Sequence, residues 1–163
     1  MTQTLTEDLG IGAPDFVKEF RPVIHTIASD KDSHFTEAIA KNGVERENIT
    51  GLRSDRTRIV EARIQAVQQL FFEVLLYATD AFEEADLDSD RFIGSIEFNL
   101  PIYGFQQTPT TQWRLDVKGL NIDYIDVDKT KEIHAVLKNL SPTSKIGDAS
   151  GAVKVEFLCE ERA

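Results

Sequence analysis

Four carboxylates between residues 86 and 97 are the groups best suited, by type and spacing, to do chemistry. Asp86, Asp88 and Asp90 alternate along a polar stretch, and Glu97 follows seven residues after the last of them. Oxygen ligands converging from one tight loop suit a hard divalent cation, calcium above all. A second group, His25, Asp30, Asp32 and His34, mixes imidazole with carboxylate within ten positions, which would suit zinc or another transition metal. Each group also has a plainer reading. The first reads as a solvated acidic turn between two elements, and the second as the polar loop that commonly joins two helices.

The segment Asp86 to Glu97 resembles the calcium loop of an EF-hand. Carboxylates occupy loop positions one, three and five, Ile93 is the apolar residue at eight, Glu97 stands at twelve, and Phe82 precedes the loop. It departs from that pattern at Arg91, which holds position six where glycine makes the sharp turn. The segment that follows alternates like a strand and meets Pro101 where a helix would continue. Asp126-Val127-Asp128-Lys129-Thr130 makes a poor second copy, because Leu137 stands at its position twelve.

Other catalytic patterns are missing. Gly10-Ile11-Gly12-Ala13-Pro14 lacks the third glycine and the preceding strand of a dinucleotide fingerprint, and no nucleophile elbow or zinc-protease motif occurs. Cys159, between Leu158 and Glu160, reads as inert, because a neighbouring acid raises a thiol's pKa. His134 sits between Ile133 and Ala135 and reads as a surface or hydrogen-bonded residue. Adjacent acids such as Glu83 and Glu84 mean little in so acidic a chain. The expectation is a protein that is not an enzyme and has no bound cofactor, with calcium as the exception to test.

The chain has 163 residues, the size of one domain, and a formal net charge of −10. Phosphate backbones and anionic lipid heads should be repelled, which argues against nucleic acid as a partner. The start, MTQTLTEDLG, is acidic where a secretory leader is basic and then apolar, and the most apolar run, Leu70 to Ala78, is far shorter than the ~20 residues of a spanning helix. Cys159 is the sole cysteine, so no internal disulfide can form. These features predict a cytoplasmic protein, or one carried on a particle after cytoplasmic synthesis, without membrane insertion.

The elements that must position such residues read as α+β. Residues 1–13 are expected to form a tail, and 14–163 a single domain that is helical over 14–85 and β-rich over 92–160. Phe16, Phe20, Val23, Ile24 and Ile27 recur at helical spacing from Pro14 to Ala28, with Pro22 as a kink, and a shorter helix is expected over Ser33 to Lys41. Val60, Ile64, Val67, Phe71, Val74, Ala78 and Phe82 predict one long central helix over about Asp55 to Glu84. From Phe92 the period becomes two. Strands follow over Phe92 to Ile102, around Trp113 to Tyr124 with a bulge or hairpin at Lys118-Gly119, over Glu132 to Leu140, and around Val153 to Phe157. Helices packed on one face of a four- to five-stranded antiparallel meander are the expected architecture.

Three function classes fit this reading. The first is a non-catalytic structural or interaction protein with protein partners, self-associating as a subunit of a larger assembly, for which a phage-like or secretion-type particle is an analogy. The second is a calcium-binding module built on Asp86, Asp88, Asp90 and Glu97. The third is a small enzyme or ligand-binding domain whose pocket is lined by Tyr103, Trp113, Tyr124 and His134.

Overall fold

The computed structural model describes residues 22–80, 91–107, 111–148 and 152–162. Ten strands carry nearly all of the regular structure among them: β1 (Pro22–Ala28), β2 (Val44–Thr50), β3 (Arg56–Ala66), β4 (Phe71–Tyr77), β5 (Phe92–Asn99), β6 (Phe105–Gln106), β7 (Trp113–Val117), β8 (Ile122–Ile125), β9 (Glu132–Asn139) and β10 (Val153–Arg162). One helix, α1 (Leu100–Tyr103), has four residues. All pairings are antiparallel and fall into two sheets. The first runs β1-β10-β3-β7-β6, with β8 also on β3, and the second runs β2-β9-β4-β5.

Alternation explains the layering. Ile59, Ile64, Val155 and Phe157 from the first sheet meet Phe72, Val74, Leu76, Ile96, Phe98, Ile133 and Leu137 from the second, all buried in one core. The arrangement is a β-sandwich, in which each inner face covers the other's apolar side chains. Phe35, fully buried with φ 54°, belongs to the same core from the segment between β1 and β2.

The expected α+β fold with a long central helix is therefore corrected. Residues 55–80 contain β3, a turn and β4, residues 22–28 of the first expected helix form β1, and residues 33–41 are turns and bends with one isolated bridge, Ile39 to Lys145, while the expected tail 1–13 and the helix portions 14–21 and 81–84 lie outside the described residues. The physical reason lies in a bulge. Leu158 pairs with Glu61 and Cys159 with Ile59, so Val60 is an extra residue on β3 and the buried set shifts phase from Thr57 and Ile59 to Ala62, Ile64 and Ala66. A two-residue period broken once imitates three- and four-residue spacing. The β-branched and aromatic residues of both segments favour strands as well.

β4 is central in its sheet, with Phe72, Val74 and Leu76 inward, while Leu75 and Tyr77 form a second buried cluster with Val136 on the other face. Strands do occupy 92–99, 113–117, 122–125, 132–139 and 153–162 in the second half of the chain. They do not form a meander: β9 and β10 each insert between strands from the first half. Gly119, at φ 72°, marks the break between β7 and β8, where Leu120 N donates to Val60 O at 2.9 Å beside the bulge.

Candidate functional site

The sandwich has two unlike ends. At one, β4 and β8 finish while β5 and β9 begin. There Ala78 N donates to Arg91 O and Val127 N donates to Ala78 O, so both anchors of the β4–β5 connection sit beside the β8–β9 turn. The other end carries α1, β6 and the start of β7.

At the first end the register sets Asn48 of β2, His134 of β9 and Tyr77 of β4 in one row across the sheet. The turn Asp126 to Lys131 lies over this row. Asp126 organises the turn: its carboxylate accepts the backbone N–H groups of Asp128, Thr130 and Glu132 at 2.8–3.1 Å. Those bonds hold Lys129 and Lys131 at φ 59°, a left-handed backbone that costs ~1–2 kcal/mol per residue. His134 Nε2 reaches the same carboxylate at 2.9 Å, and its Nδ1 lies 2.7 Å from Asn48 Oδ1. Both partners are out of water, with 0% of the Asp126 side chain and 1% of His134 exposed.

Asp128 turns the other way. Its carboxylate accepts from Thr79 Oγ1 at 2.7 Å and from Asp80 N at 2.9 Å, clasping the start of the β4–β5 connection. Tyr124 closes the base of the site, its hydroxyl donating to Tyr77 O at 2.8 Å and accepting from His134 N at 2.8 Å. Burial pushes the Tyr124 phenol well above its ordinary value. For Asp126 burial favours the neutral acid, but the His134 ring, the Glu132 N–H and Thr130 outweigh it and hold the carboxyl below its ordinary value. The Asp80 N–H and the Thr79 hydroxyl lower Asp128 in the same way.

The ligand atoms of Asp126, Asp128 and His134 lie within 4.8 Å of one another, a spacing at which three such side chains can gather around a metal ion. Here their oxygens are spent on N–H and O–H donors, and both ring nitrogens of His134 face acceptors. The arrangement is a hydrogen-bonded turn rather than a coordination shell.

The residues singled out in the sequence are dispersed. Asp86, Asp88 and Asp90 lie outside the described residues. Glu97 is exposed on strand β5, in register with Glu73, several residues along from Phe92 where that strand begins. His25 stands on β1 and reaches the buried Glu161 carboxylate at 3.0 Å, off the line a hydrogen bond needs. His34 is elsewhere, its Nδ1 accepting Asp30 N at 2.8 Å, while Asp30 Oδ1 accepts Asp32 N, a local turn that lowers the Asp30 pKa. Tyr124 and His134 meet at the polar end, whereas Tyr103 and Trp113 sit at the other end, so these four line no common pocket. Cys159 is buried, and desolvation pushes its thiol up to about 12.

The sequence signal for the Asp126 network was present in the spacing Asp126, Asp128, Thr130, Glu132, in which one side chain can cap the N–H groups that follow it. Phe92, Ile125 and Val127 are exposed at this end, but the opposite end differs in having no such buried carboxylate–imidazole network among the described residues and a larger exposed aromatic set. Ile102, Tyr103 and Phe105 are 69%, 69% and 51% exposed, and Val67 and Ile146 are exposed at the same end. By the β2 edge of the second sheet, the buried Lys145 donates to Glu37 O and faces Glu45 at 3.5 Å, with burial pushing the Glu45 carboxyl up and the Lys145 ammonium down. No helix among the described residues is long and apolar enough to cross a membrane. No protein-family model matches this chain, and no curated protein matches it in sequence.

Proposed function

We propose that this chain is a non-catalytic interaction protein that associates with itself as a subunit of a larger cytoplasmic assembly, docking through the apolar end of the sandwich. The observation that carries this reading is the exposed run Ile102, Tyr103 and Phe105 on α1 and β6. Large apolar side chains gathered on one surface are the usual mark of an interface, and aromatic residues supply most of the energy of such contacts. β6 ends its sheet in two residues, so the same corner presents a strand edge to which a partner strand can add.

Light scattering over a concentration series, repeated with millimolar calcium, tests the proposal. A defined oligomer that dissociates in the Tyr103→Ser, Phe105→Ser double variant is the expected result. A monomer at every concentration would exclude self-association. A change in mass only with calcium would favour instead a cation-responsive module using Asp86, Asp88 and Asp90.

A further inference from the structure

β1 ends the first sheet, and among the described residues nothing pairs with its outer side. Ser29 N donates to Val155 O at 2.8 Å, continuing the register that sets Ala28 opposite Glu156. Antiparallel strands turn the N–H and C=O of successive residues to alternate sides, so the odd-numbered residues of β1 bond to β10. Ile24, Thr26 and Ala28 therefore aim their backbone N–H and C=O groups away from the sheet. Edge strands are normally guarded by charge, by proline or by shortness. The other strands with an open side follow that rule: β2 carries Glu45, Arg46 and Glu47, β5 carries Glu97, β8 carries Asp123, and β6 has two residues. β1 does not. Pro22–Ala28 holds no Asp, Glu, Lys or Arg, its proline stands at the first position, and Ile24 on the outer face is 61% exposed. His25, its one titratable side chain, points to the buried Glu161.

We propose that the outer side of β1 docks the β1 of a second copy, joining two first sheets into one across a two-fold axis at Thr26. In that antiparallel register Thr26 faces itself and Ile24 stands beside the partner's Ala28. Every free N–H and C=O of Ile24, Thr26 and Ala28 then finds a partner, and the largest outer side chain meets the smallest. A strand from another protein could satisfy the same backbone groups. The second copy is favoured because this register is self-complementary in size and sets no like charges opposite one another. In a chain of net charge −10, copies repel across most other surfaces, so an uncharged strand is where two can meet. The contact is separate from the docking proposed for α1 and β6, because β1 and β6 lie at opposite edges of the same sheet.

Cross-linking reads the register. Thr26→Cys places two thiols across the axis at the ~5.5 Å Cα separation of a hydrogen-bonded pair, within disulfide reach, while the native Cys159 is buried. Under oxidised glutathione, Thr26→Cys is expected to form a covalent dimer roughly tenfold faster than Ile24→Cys, whose thiols lie toward opposite ends of the paired segment. Thr26→Lys sets two charges face to face at an exposed position. It should lower the mass seen by light scattering and speed hydrogen exchange of the Ile24 and Ala28 amides roughly tenfold. The Tyr103→Ser, Phe105→Ser variant should leave the Thr26→Cys cross-link intact, so failure at the apolar end and failure at β1 are read apart. Equal cross-linking from positions 24 and 26 would overturn the proposal, as would an unchanged mass in Thr26→Lys. Protected Ile24 and Ala28 amides in a monomer would overturn it too, by placing another segment of the same chain on this edge.

Discussion

The two ends of the sandwich solve the same problem with different chemistry, although Ile125 and Val127 are exposed beside the first turn as well. At the polar end the chain must pass between sheets through a turn with two left-handed lysines, and it does so by burying a carboxylate that the surrounding N–H groups and one imidazole satisfy. At the apolar end, the chain leaves β5 through α1 and β6 and places Ile102, Tyr103 and Phe105 in water. The lesson is that a buried polar network fixes a structure internally, whereas exposed apolar groups are stabilised only by something outside the fold.

The sharpest way to break this contrast is Asp126→Ala. It removes the acceptor for three backbone N–H groups and leaves His134 buried without its carboxylate, so unfolding in denaturant should show a loss of about 3–5 kcal/mol. Acid acts on the same end. Asp126 and Asp128 are both held below their ordinary values, so their contribution is complete above the unfolded carboxylate value of ~3.9 and is lost as pH falls through the lower folded values. Unfolding midpoints across an acid series should therefore fall steeply in parent protein and less steeply in Asp128→Asn. Tyr124→Phe should cost about 1–3 kcal/mol in the same denaturant assay, since it strands the Tyr77 carbonyl and the His134 N–H. At the other end, Tyr103→Ser with Phe105→Ser should change monomer stability by only about 0.5 kcal/mol while altering the mass seen by light scattering. A large stability loss there would mean that these side chains belong to the fold and not to an interface.

The strands of the second half were legible because the alternation from Phe92 is clean through Asn99, whereas Leu100 to Ile102, expected to continue that strand, lie in α1 instead. The segment Arg56–Ala66 was not, because the extra Val60 shifts the buried phase and turns alternation into an apparent helical repeat. The calcium-like pattern drew attention to Asp86, Asp88, Asp90 and Glu97. The network the fold assembles uses Asp126, whose own spacing makes only a poor copy of that loop. Its partners Asn48, Thr79 and His134 lie far apart in sequence and meet only through the pairing of β2, β9 and β4. Tertiary pairing of that kind leaves no local periodicity to read. His134 had been assigned to a surface or hydrogen-bonded role, and it is buried with both nitrogens occupied.

The place of β10 in its sheet governs the order in which the molecule can be made. It lies between β1 and β3, pairing Ala28 with Glu156 and Ala66 with Val153. A ribosome that has delivered β1 and β3 has delivered two strands with no neighbour between them, and this part of the sheet can close only after β10 emerges. Contacts so distant in sequence make folding slow, because long loops must close before any pairing stabilises them. Until then the facing edges of β1 and β3 are open to pairing with other chains.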